Sequence, residues 1–587
     1  MSRPDHNRTF RLLAGYIYRD PRLLIRSLLL LLLATALDVV GPLLAKIYID
    51  DYLLTGDLRW QLILQLLLIY LLCQLGAGAF RYLQALSFTK MALNAVTDIR
   101  KRAFARVMRL PMRYFDHART GQLVSRITND TEAIKDLYVQ FLSNVLGNAV
   151  MLLGILVAMA LLDLTLMMIA LALVPAVITI IYLYQRLSGP AVAQSRVQRA
   201  EINGSLNESI GGMAVIQASN QSERFLRHFG QINDHYYRSR LRTVFASGLL
   251  LRPAIDLLSI TTTVGILWLF GQQVVAGVAE IGVLYAFLNY MARFTEPLAE
   301  ITQRFNLYQQ AMVAGDRVAK LLDEPEARYG EQQAQLDNGS MTLTGLSFGY
   351  LPAKTVLHDI DLKVPDGGFY AIAGHTGSGK STLLSLLLGF YPAPRGSVLI
   401  GGSDIHDLAQ SALRHGIGLI LQEPFVLADS VRANIDMGRG LSEQQVQSAA
   451  RKAHLHQAIL QLPQGYATTL GEGGLRLSTG QRQQLIIARA LAGEPRILLL
   501  DEATANIDSE TEQVVQQALA RLRGEITIIA VAHRLSTIKQ ADHIVLLSHG
   551  RISEQGDHRQ LMALEGGTYR AMYELQQQAA RIEAIND

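Results

Sequence analysis

Gly374-His375-Thr376-Gly377-Ser378-Gly379-Lys380-Ser381 is the stretch that decides the fold of the C-terminal half of this 587-residue chain. It fits the phosphate-binding pattern G-x-x-x-x-G-K-[ST], with strand-like residues 369–373 before it and helix-like residues 382–388 after it. Glycines let successive backbone N–H groups close around phosphate oxygens, and the start of the helix adds positive potential. We expect Lys380 to contact the β- and γ-phosphates and Ser381 to offer its hydroxyl to Mg²⁺. A Gly-Ser turn that matches by chance is the alternative, and the flanking strand and helix argue against it.

A second set of candidate residues lies downstream, where the apolar residues 497–500 end in Asp501 and Glu502. Acids at the carboxyl end of a parallel strand occupy the edge where α/β folds bind their ligands. We expect Asp501 to hold Mg²⁺ through its water, and Glu502 to orient or deprotonate the water that attacks the phosphate. A strand that merely meets a solvated acidic loop is the alternative, and the phosphate loop upstream favours the catalytic interpretation.

The N-terminal half differs in character, because it contains six stretches long and apolar enough to cross a bilayer. About 20 mainly apolar residues in a helix cross the hydrocarbon layer, and lipid offers backbone polar groups no partners outside the helix. The first apolar stretch is expected to be retained, since no small-residue cleavage site follows it. The predicted spans are residues 23–48, 62–85, 139–162, 164–183, 247–270 and 281–301.

The loops between the spans predict the orientation in the membrane. Ten Lys and Arg residues lie in residues 86–138 and eight Arg in residues 186–246, whereas residues 271–280 have none. Such an excess of basic residues marks the cytoplasmic side. We therefore expect both long loops and both termini in the cytoplasm, with helices that continue well beyond the membrane.

Ionisable residues within the predicted spans are costly and are candidates for substrate contact. Solvation near the cytoplasmic ends of the helices is the alternative for several of them. These residues are Asp38, Lys46, Arg252, Asp256, Arg293, Glu296, Glu300 and Arg304.

The composition agrees with a chain that has one membrane part and one soluble part. Half of the residues are hydrophobic and 18% are charged, which is too apolar for an ordinary soluble protein and too charged for a pure membrane bundle. The net charge of +4 is small for this length, so we expect no nucleic-acid partner. Cys73 is the one cysteine, which excludes an intrachain disulfide.

Changes in composition along the chain predict the domain boundaries. We expect a cytoplasmic N-terminal or elbow segment in residues 1–20, a six-helix transmembrane domain in 21–320 and a polar linker in 321–340. A nucleotide-binding domain follows in 341–580 and a C-terminal tail in 581–587. The predicted fold class is a polytopic α-helical membrane domain with long cytoplasmic extensions, joined to an α/β P-loop ATPase domain.

Between the phosphate loop and the two acids lies Leu477-Ser478-Thr479-Gly480-Gln481, and here a resemblance to a known family becomes specific. The chain resembles a subunit of an ATP-binding cassette (ABC) transporter, whose signature L-S-G-G-Q is followed by a helix. The resemblance implies that ATP and Mg²⁺ bind between the phosphate loop of one domain and the signature of another. Ser478 and Gly480 would then approach the γ-phosphate held by the partner.

The resemblance also implies roles for residues outside the phosphate loop and the signature. Tyr350 would stack on adenine, Gln422 would sense Mg²⁺, Asp508 would belong to the D-loop, and His533 would contact the γ-phosphate. The implied catalytic residues are Glu502, His533 and Gln422, and the implied Mg²⁺ ligands are Ser381, Gln422 and Asp501. The implied ATP-binding residues are Tyr350, Gly374, His375, Thr376, Gly377, Ser378, Gly379, Lys380, Ser381 and Thr382.

The membrane half resembles ABC exporters as well. Six spans ahead of the nucleotide domain in one chain are typical of an exporter half-transporter, and residues 114–126 resemble the first cytoplasmic loop of these exporters. Short coupling helices near residues 111–119 and 210–218 would rest on the nucleotide-binding domains, whereas solvated basic loops are the alternative. Within the family, residues 282–287, 374–377 and 426–429 are similar to one subunit of the paired multidrug-resistance-like exporters of bacteria.

One departure from the family pattern bears on the partner, because Thr479 occupies a position where the family prefers glycine. In the paired exporters one of the two ATP sites is catalytically weak. We therefore predict a heterodimer in which this chain supplies Lys380, Glu502 and His533 to the competent site and the partner lacks a glutamate equivalent to Glu502. A signature position that simply tolerates threonine is the alternative, and a homodimer stays possible.

The residues and the resemblance together predict ATP-dependent export of small amphipathic molecules across the bacterial inner membrane by alternating access. A homodimeric lipid flippase or peptide exporter of the same fold is the alternative. Six spans exclude a soluble ABC ATPase of translation or repair. A channel or regulator with little ATP turnover would be expected to lack Glu502 or His533, and this chain has both.

Overall fold

The computed structural model describes residues 6–56, 59–250, 252–275, 280–331, 335–351, 354–474, 476–501, 509–532 and 538–586. The chain divides into two compact units. One consists of Met1–Arg109 with Arg119–Glu324 and is helical, and the other consists of Leu110–Ala118 with Pro325–Asp587 and is α/β. A short segment from the membrane half of the sequence, Leu110–Ala118, thus packs as part of the α/β unit.

Long α-helices dominate the described residues up to Asp323. π-helical turns at Tyr48–Leu53 and Leu137–Leu142 extend two of them. The helices are α1 (His6–Ile17), α2 (Pro21–Ile47), α3 (Trp60–Val107), α4 (Met112–His117), α5 (Thr120–Ile127), α6 (Asn129–Asp136), α7 (Ser143–Leu162), α8 (Leu164–Leu171), α9 (Leu173–Gly211), α10 (Met213–Ala218), α11 (Ser222–Leu250), α12 (Arg252–Val275) and α13 (Ile281–Asp323).

Five stretches among the described residues are long and apolar enough to cross a membrane: Pro21–Leu53, Trp60–Val107, Thr120–Leu162, Leu164–Gly211 and Pro253–Gln272. The sixth predicted span lies at the start of α13, a helix that carries several charges and is not among those five. Most of the predicted fifth span, residues 247–270, lies in α12, which contains the apolar stretch Pro253–Gln272. As predicted, the helices are much longer than a bilayer crossing requires, since α3 alone has 48 residues.

Aromatic residues of α13 form the centre of the helical core. Phe287, Tyr290 and Phe294 are spaced three and four residues apart, so they lie on one face of the helix, and all three are fully buried. The Tyr290 hydroxyl donates a hydrogen bond to the Val39 carbonyl of α2 at 2.6 Å. This contact satisfies a polar group that would otherwise be buried without a partner.

The α/β unit contains two sheets. One is antiparallel and has the order β2-β1-β4-β5, and the other has the order β10-β9-β3-β8-β7-β6. The strands are β1 (Met341–Phe348), β2 (Leu357–Val364), β3 (Phe369–Ala373), β4 (Arg395–Ile400), β5 (Ser403–Asp404), β6 (Ile417–Ile420), β7 (Ile497–Asp501), β8 (Thr527–Val531), β9 (His543–Ser548) and β10 (Arg551–Gly556).

The helices of this unit connect the strands of the larger sheet or cover its faces. Two 3₁₀ turns, Gly465–Ala467 and Glu472–Gly474, lie between them. The helices are α14 (Lys380–Leu387), α15 (Gln410–Gly416), α16 (Val431–Asp436), α17 (Glu443–Lys452), α18 (His456–Leu460), α19 (Thr479–Leu491), α20 (Ser509–Leu522), α21 (His558–Ala563) and α22 (Thr568–Asn586).

The larger sheet is parallel from β9 through β6 and is buried on both faces. Phe369 of β3 pairs with Ile528 of β8, and Asp501 of β7 pairs with Val531 of β8. All five residues of β3 are buried, as are all five of β8, which explains why these strands are continuous apolar runs in the sequence. Strands β3, β8, β7 and β6 are direct neighbours, so their carboxyl ends form one edge of the sheet. These two units confirm the predicted fold class.

Candidate active site

The phosphate loop connects the buried end of β3 to the start of α14, in the strand-loop-helix arrangement expected from the sequence. Two of its glycines are required by their surroundings. Gly379 has a left-handed backbone (φ 105°), and a Cβ on it would lie 2.7 Å from the Leu357 side chain. A Cβ on Gly374 would lie 2.3 Å from the Leu547 carbonyl oxygen. A larger residue at either position would push the loop away from the sheet.

Two polar side chains of the loop turn inward, where they fit a phosphate-binding role. The Lys380 Nζ donates to the carbonyl oxygens of Gly374 at 2.8 Å and His375 at 3.0 Å. The Ser378 Oγ is buried and has no hydrogen-bond partner among the described residues. Exposed residues His375, Thr376 and Gly377 form the outer rim of the loop. Bound phosphate would supply the acceptor that the Ser378 hydroxyl lacks and a negative charge beside the Lys380 ammonium group.

The sheet brings further predicted site residues to the same edge as the phosphate loop. Asp501 is the last residue of β7, two strands from β3, and its side chain is half-buried. Gln422 is exposed and lies two residues after β6, the neighbour of β7. Ser381 is exposed on the first turn of α14. The three residues predicted to bind Mg²⁺ therefore all follow strands that end at this edge, and their oxygen atoms are suitable Mg²⁺ ligands.

Three predicted site residues lie outside the described residues: Glu502, Asp508 and His533. Glu502 directly follows Asp501 in the sequence, and His533 comes two residues after the end of β8. Their roles stay predictions.

Tyr350, predicted to stack on adenine, belongs to a cluster of three aromatic rings. Its ring makes edge contacts with Phe348 at 5.1 Å and with Tyr391 at 5.3 Å between centroids. Its hydroxyl donates to the Thr382 Oγ1 of α14 at 3.3 Å, which links it to the phosphate loop helix. The Tyr391 hydroxyl in turn donates to an Asp116 carboxylate oxygen of α4.

Sequence reasoning missed Tyr391, whose role in the cluster depends on its hydrogen bond to Asp116. Burial, together with the hydrogen bond to Asp116, raises the pKa of the Tyr391 phenol well above its usual range, so the hydroxyl stays a donor. The aromatic residue shortly after the phosphate loop helix was the available signal. The other partner, Asp116, is 275 positions away in the sequence. This contact places the first predicted coupling segment against the aromatic cluster of the α/β unit.

The signature segment forms a capped helix start. Ser478 is the N-cap of α19, and its Oγ accepts from the Gln481 N–H at 3.2 Å, while the Gln481 Oε1 accepts from the Ser478 N–H at 3.0 Å. Leu477 and Gly480 are buried, whereas Ser478 and Thr479 are exposed. The cap leaves an exposed, positively polarised helix N-terminus, which suits an anion such as a phosphate.

Thr479 fits this helix start without strain. It is the first residue of α19, a position that any residue can adopt, and its Oγ1 accepts from the Arg482 Nη2 at 3.1 Å. Glycine is therefore not required here by the fold. Threonine changes the exposed surface of the signature instead, because its branched side chain occupies space that a glycine would leave open.

A buried polar network, which the sequence did not indicate, fixes α19 against the segment that follows Gln422. Asn434 of α16 is fully buried, and its Oδ1 accepts from the Leu427 N–H at 2.8 Å and from the Arg489 Nη2 at 2.9 Å. The Arg489 Nη1 also donates to the Phe425 carbonyl at 2.8 Å. Burial lowers the pKa of Arg489 to about 10, which still leaves it charged at neutral pH. The network positions the signature helix relative to Gln422.

Several ionisable residues of the spans are paired. Asp38 forms an ion pair with Arg81, and the Lys46 Nζ lies 2.7 Å from a Glu280 oxygen and 3.6 Å from an Asp50 oxygen. Asn148 donates to Glu300 at 3.0 Å. The side chains of Arg252 and Arg304 lie outside the described residues.

Comparison with known proteins agrees with this architecture. Residues 24–298 match the family model described as "ABC transporter transmembrane region", and residues 357–505 match the one described as "ABC transporter". The multidrug resistance-like ATP-binding protein MdlB of Buchnera aphidicola subsp. Schizaphis graminum is 38% identical over 95% of this chain and 97% of its own. A fatty acid ABC transporter ATP-binding/permease protein of Mycobacterium bovis is 33% identical over 86% of this chain and 79% of its own.

A solved structure has the same fold. It is a bacterial Atm1-family ABC exporter with ATP bound, which superposes with a TM-score of 0.79 at 26% identity and covers 95% of this chain and 99% of its own. The apolar helices and the exporter relatives identify a multi-pass inner-membrane protein with a cytoplasmic ATP-binding domain. The chain belongs to the ABC transporter family, as an ATP-hydrolysing exporter half-transporter with its membrane and ATP-binding domains in one polypeptide.

Proposed function

We propose that this protein exports small amphipathic molecules across the inner membrane as one half of a dimeric, multidrug-type exporter. The observation that carries the proposal is a phosphate loop and a capped signature helix in the same chain as an exporter membrane region. The multidrug-resistance-like relative supports the substrate class. A homodimeric lipid or peptide exporter is the second candidate, and the relative named for fatty acids favours its lipid form.

The residues at the sheet edge have separate roles in the proposed reaction. Lys380 and the loop N–H groups hold the ATP phosphates, and Tyr350 stacks on the adenine ring. Ser381, Gln422 and Asp501 would hold Mg²⁺, which when bound neutralises the charge that develops on the phosphates.

Hydrolysis depends on two residues that follow neighbouring strands. Glu502 accepts a proton from the attacking water, and His533 donates a hydrogen bond to the γ-phosphate. Asp508, six residues after Glu502 in the sequence, belongs to the D-loop. Loss of the γ-phosphate removes a ligand shared by two subunits, so ATP biases a closed dimer and hydrolysis releases it.

The proposed partner is a second half-transporter, because the signature of one chain completes the ATP site of the other. Ser478 and Gly480 of this chain would approach the γ-phosphate bound by that partner. The Thr479 side chain leaves less room between the signature of this chain and the γ-phosphate bound by the partner. This supports a heterodimer in which the ATP site on the partner's phosphate loop is the degenerate one. Purification of the chain without a partner tests this proposal, because a stable and fully active homodimer would contradict it.

The contact between Tyr391 and Asp116 supports the coupling of ATP use to transport. Tyr350, the proposed adenine contact, is connected to α4 through one ring contact with Tyr391 and one hydrogen bond from Tyr391 to Asp116. A ring that shifts when adenine binds would move α4, and alternating access in the membrane would follow from that movement.

Transport in sealed vesicles tests the proposed function directly. Inside-out vesicles that contain the purified transporter should accumulate labelled amphipathic compounds only with ATP and Mg²⁺. The Lys380→Ala variant, which loses the phosphate contact, is the matched control and should show no accumulation. ATP turnover without movement of any amphipathic drug, but with movement of a labelled lipid, would favour the second candidate.

A further inference from the structure

Two cavities meet at Arg293 within the helical unit. The first, which we call the tyrosine cavity, has a volume of about 400 Å³ and is lined by Leu44, Leu66, Leu67, Tyr48, Tyr70 and Tyr285 among others. The second, the polar cavity, has a volume of about 680 Å³ and includes Asp38, Arg81, Asn148, Glu296 and Glu300. Arg293 lines both cavities, and it is the one described residue common to their linings.

The position of Arg293 follows from a proline in α2. Pro42 has no N–H, so it cannot donate to the carbonyl of Asp38 four residues earlier. The Arg293 Nη1 supplies the missing donor, at 3.1 Å from the Asp38 oxygen. One N–H of the guanidinium therefore anchors it to α2, and the other donors of this five-donor group remain for other contacts.

Arg293 has no carboxylate partner among the described residues. Asp38 in the polar cavity is paired with Arg81, and Glu300 accepts from Asn148. Arg293 lies twelve residues after the start of α13, about 18 Å along the helix, within the predicted sixth span of residues 281–301. A guanidinium without a counter-ion inside a membrane span is costly, and such a residue marks a functional site by default.

The tyrosine cavity has one charge in its described lining, and that charge is Arg293. The remaining lining combines leucine side chains with three tyrosine rings, whose hydroxyls add hydrogen-bonding groups to an apolar surface. Glu296 and Glu300 line the polar cavity and not the tyrosine cavity. An occupant of the tyrosine cavity would therefore meet apolar surface along its body and a positive charge at one end.

We propose that the tyrosine cavity and Arg293 form a binding site for an amphipathic anion. Its apolar body packs among Tyr48, Tyr70 and Tyr285, and its acidic group binds the Arg293 guanidinium. The inference rests on the proposed function, since it names the substrate class of the same exporter. A cationic amphiphile would instead bring like charge to Arg293, which disfavours binding.

Probe binding to the full-length transporter in lipid nanodiscs tests the site. The probe is a twelve-carbon carboxylate with a dansyl group, compared with its methyl ester and with a trimethylammonium analogue of the same chain. Hydrogen bonds to a charged group predict that the carboxylate binds about tenfold to a hundredfold more tightly than the ester. Dansyl fluorescence measures each dissociation constant.

Variants at two positions of α13 distinguish the contribution of the Arg293 charge to probe binding from that of the apolar cavity. Arg293→Gln should remove the preference for the carboxylate over the ester, whereas Arg293→Lys should retain much of it. If the glutamine variant does not fold, the lysine variant still tests the role of the positive charge. Lys320→Gln, which removes an exposed charge of the same helix outside both cavities, is the control and should keep the preference. Equal binding of ester and carboxylate to the unmodified protein, or an unchanged preference in both Arg293 variants, would overturn the proposal.

The same probes in sealed vesicles distinguish failure of the site from failure of the function. Arg293-dependent binding without ATP-driven movement of the carboxylate would overturn the proposed export and leave the site intact. ATP-driven movement of the trimethylammonium compound, without binding of the carboxylate, would overturn the site and leave export intact.

Discussion

In the α/β unit the candidate site residues follow the ends of neighbouring strands, whereas in the helical unit the cavities are built by residues far apart in sequence. Lys380 bonds to carbonyls five and six residues away. Arg293 bonds to a carbonyl 255 residues away, and Asp38 pairs with an arginine 43 residues away. The ATP site therefore rests on local loop geometry, and the membrane cavities rest on helix packing.

This difference predicts which substitutions the phosphate loop and the membrane cavities each tolerate. A phosphate loop is fixed by its own backbone and by the strand beneath it, so its chemistry is lost when a motif residue changes. A membrane cavity depends on which helices meet, so changes to a charge, a proline or a tyrosine can alter specificity while the fold persists. Five predictions test this contrast, from the largest expected effect to the smallest.

Glu502→Gln tests whether a short motif carries the chemistry of the α/β unit. ATP turnover by the reconstituted transporter should fall at least about a hundredfold, because a general base accelerates the reaction by that much. Unhydrolysed ATP should stay bound in the site. Glu525→Gln, which changes an exposed acid, is the control. Near-normal turnover of the Glu502 variant would contradict its assignment.

Asn434→Ala tests the part of the α/β unit that does rely on distant contacts. The change leaves the Leu427 N–H and the Arg489 guanidinium without their shared acceptor, which should lower the free energy of unfolding by about 2–4 kcal/mol. Gln444→Ala, which changes an exposed side chain of the neighbouring α17, is the control and should cost less. Thermal and denaturant unfolding of the full chain measure both, and equal losses would argue against this account of the network.

Asp38→Asn tests the ion pair between α2 and α3 in the helical unit. Breaking a buried pair costs about 3–5 kcal/mol, but Arg81 is 63% exposed, so we expect about 1–3 kcal/mol. The double variant Asp38→Asn with Arg81→Gln should recover part of the loss, as measured by thermal unfolding in detergent. Simple additivity of the two changes would show that the pair contributes nothing.

Tyr391→Phe tests the contact between the aromatic cluster and α4. It keeps the ring and removes the hydrogen bond to Asp116, so stability should fall by about 0.5–1.5 kcal/mol. We expect fewer molecules transported per ATP hydrolysed, and Asp116→Asn should act in the same direction. Unchanged transport per ATP in both variants would leave the contact with a structural role only.

His558 predicts a small dependence of stability on pH. Burial, and then the charge of Lys539, lower the pKa of His558, against the opposing effect of Asp557. Its Nδ1 lies 2.8 Å from the Tyr569 hydroxyl, and its ring contacts Tyr573. Because the pKa of His558 is lower in the folded state, the neutral imidazole favours folding. This contribution to the free energy of unfolding is complete above the ordinary pKa of about 6.5, and it is lost as the pH falls through the pKa of the folded state.

Unfolding temperatures measured from about pH 7.5 to pH 5.5 test this sign. The unmodified chain should lose stability toward the acid end. His558→Gln should flatten that part of the curve, and an identical curve would assign the dependence to other groups.

The sequence alone predicted much of the α/β unit and less of the helical unit. Residues 369–373 and the loop after them are predictable because glycine, lysine and a hydroxyl at fixed spacing have few other uses. The predicted sixth span, residues 281–301, covers only the first part of α13, which continues to Asp323, since composition reports how apolar a stretch is and not where its helix ends. The contacts of Tyr391 and Arg489 were not predicted, because their partners Asp116 and Asn434 belong to other elements.

What the sequence determined by itself is the family, the presence of a membrane part and an ATP-binding part in one chain, and the cytoplasmic side for the ATP-binding domain. These depend on residue spacing, hydrophobicity and loop charge, which are all local properties. Only the tertiary structure placed Arg293 on the carbonyl that Pro42 leaves free, and Asp116 on Tyr391. The physical reason is that hydrogen bonds and cavities depend on distances in space, and packing sets those distances between residues hundreds of positions apart.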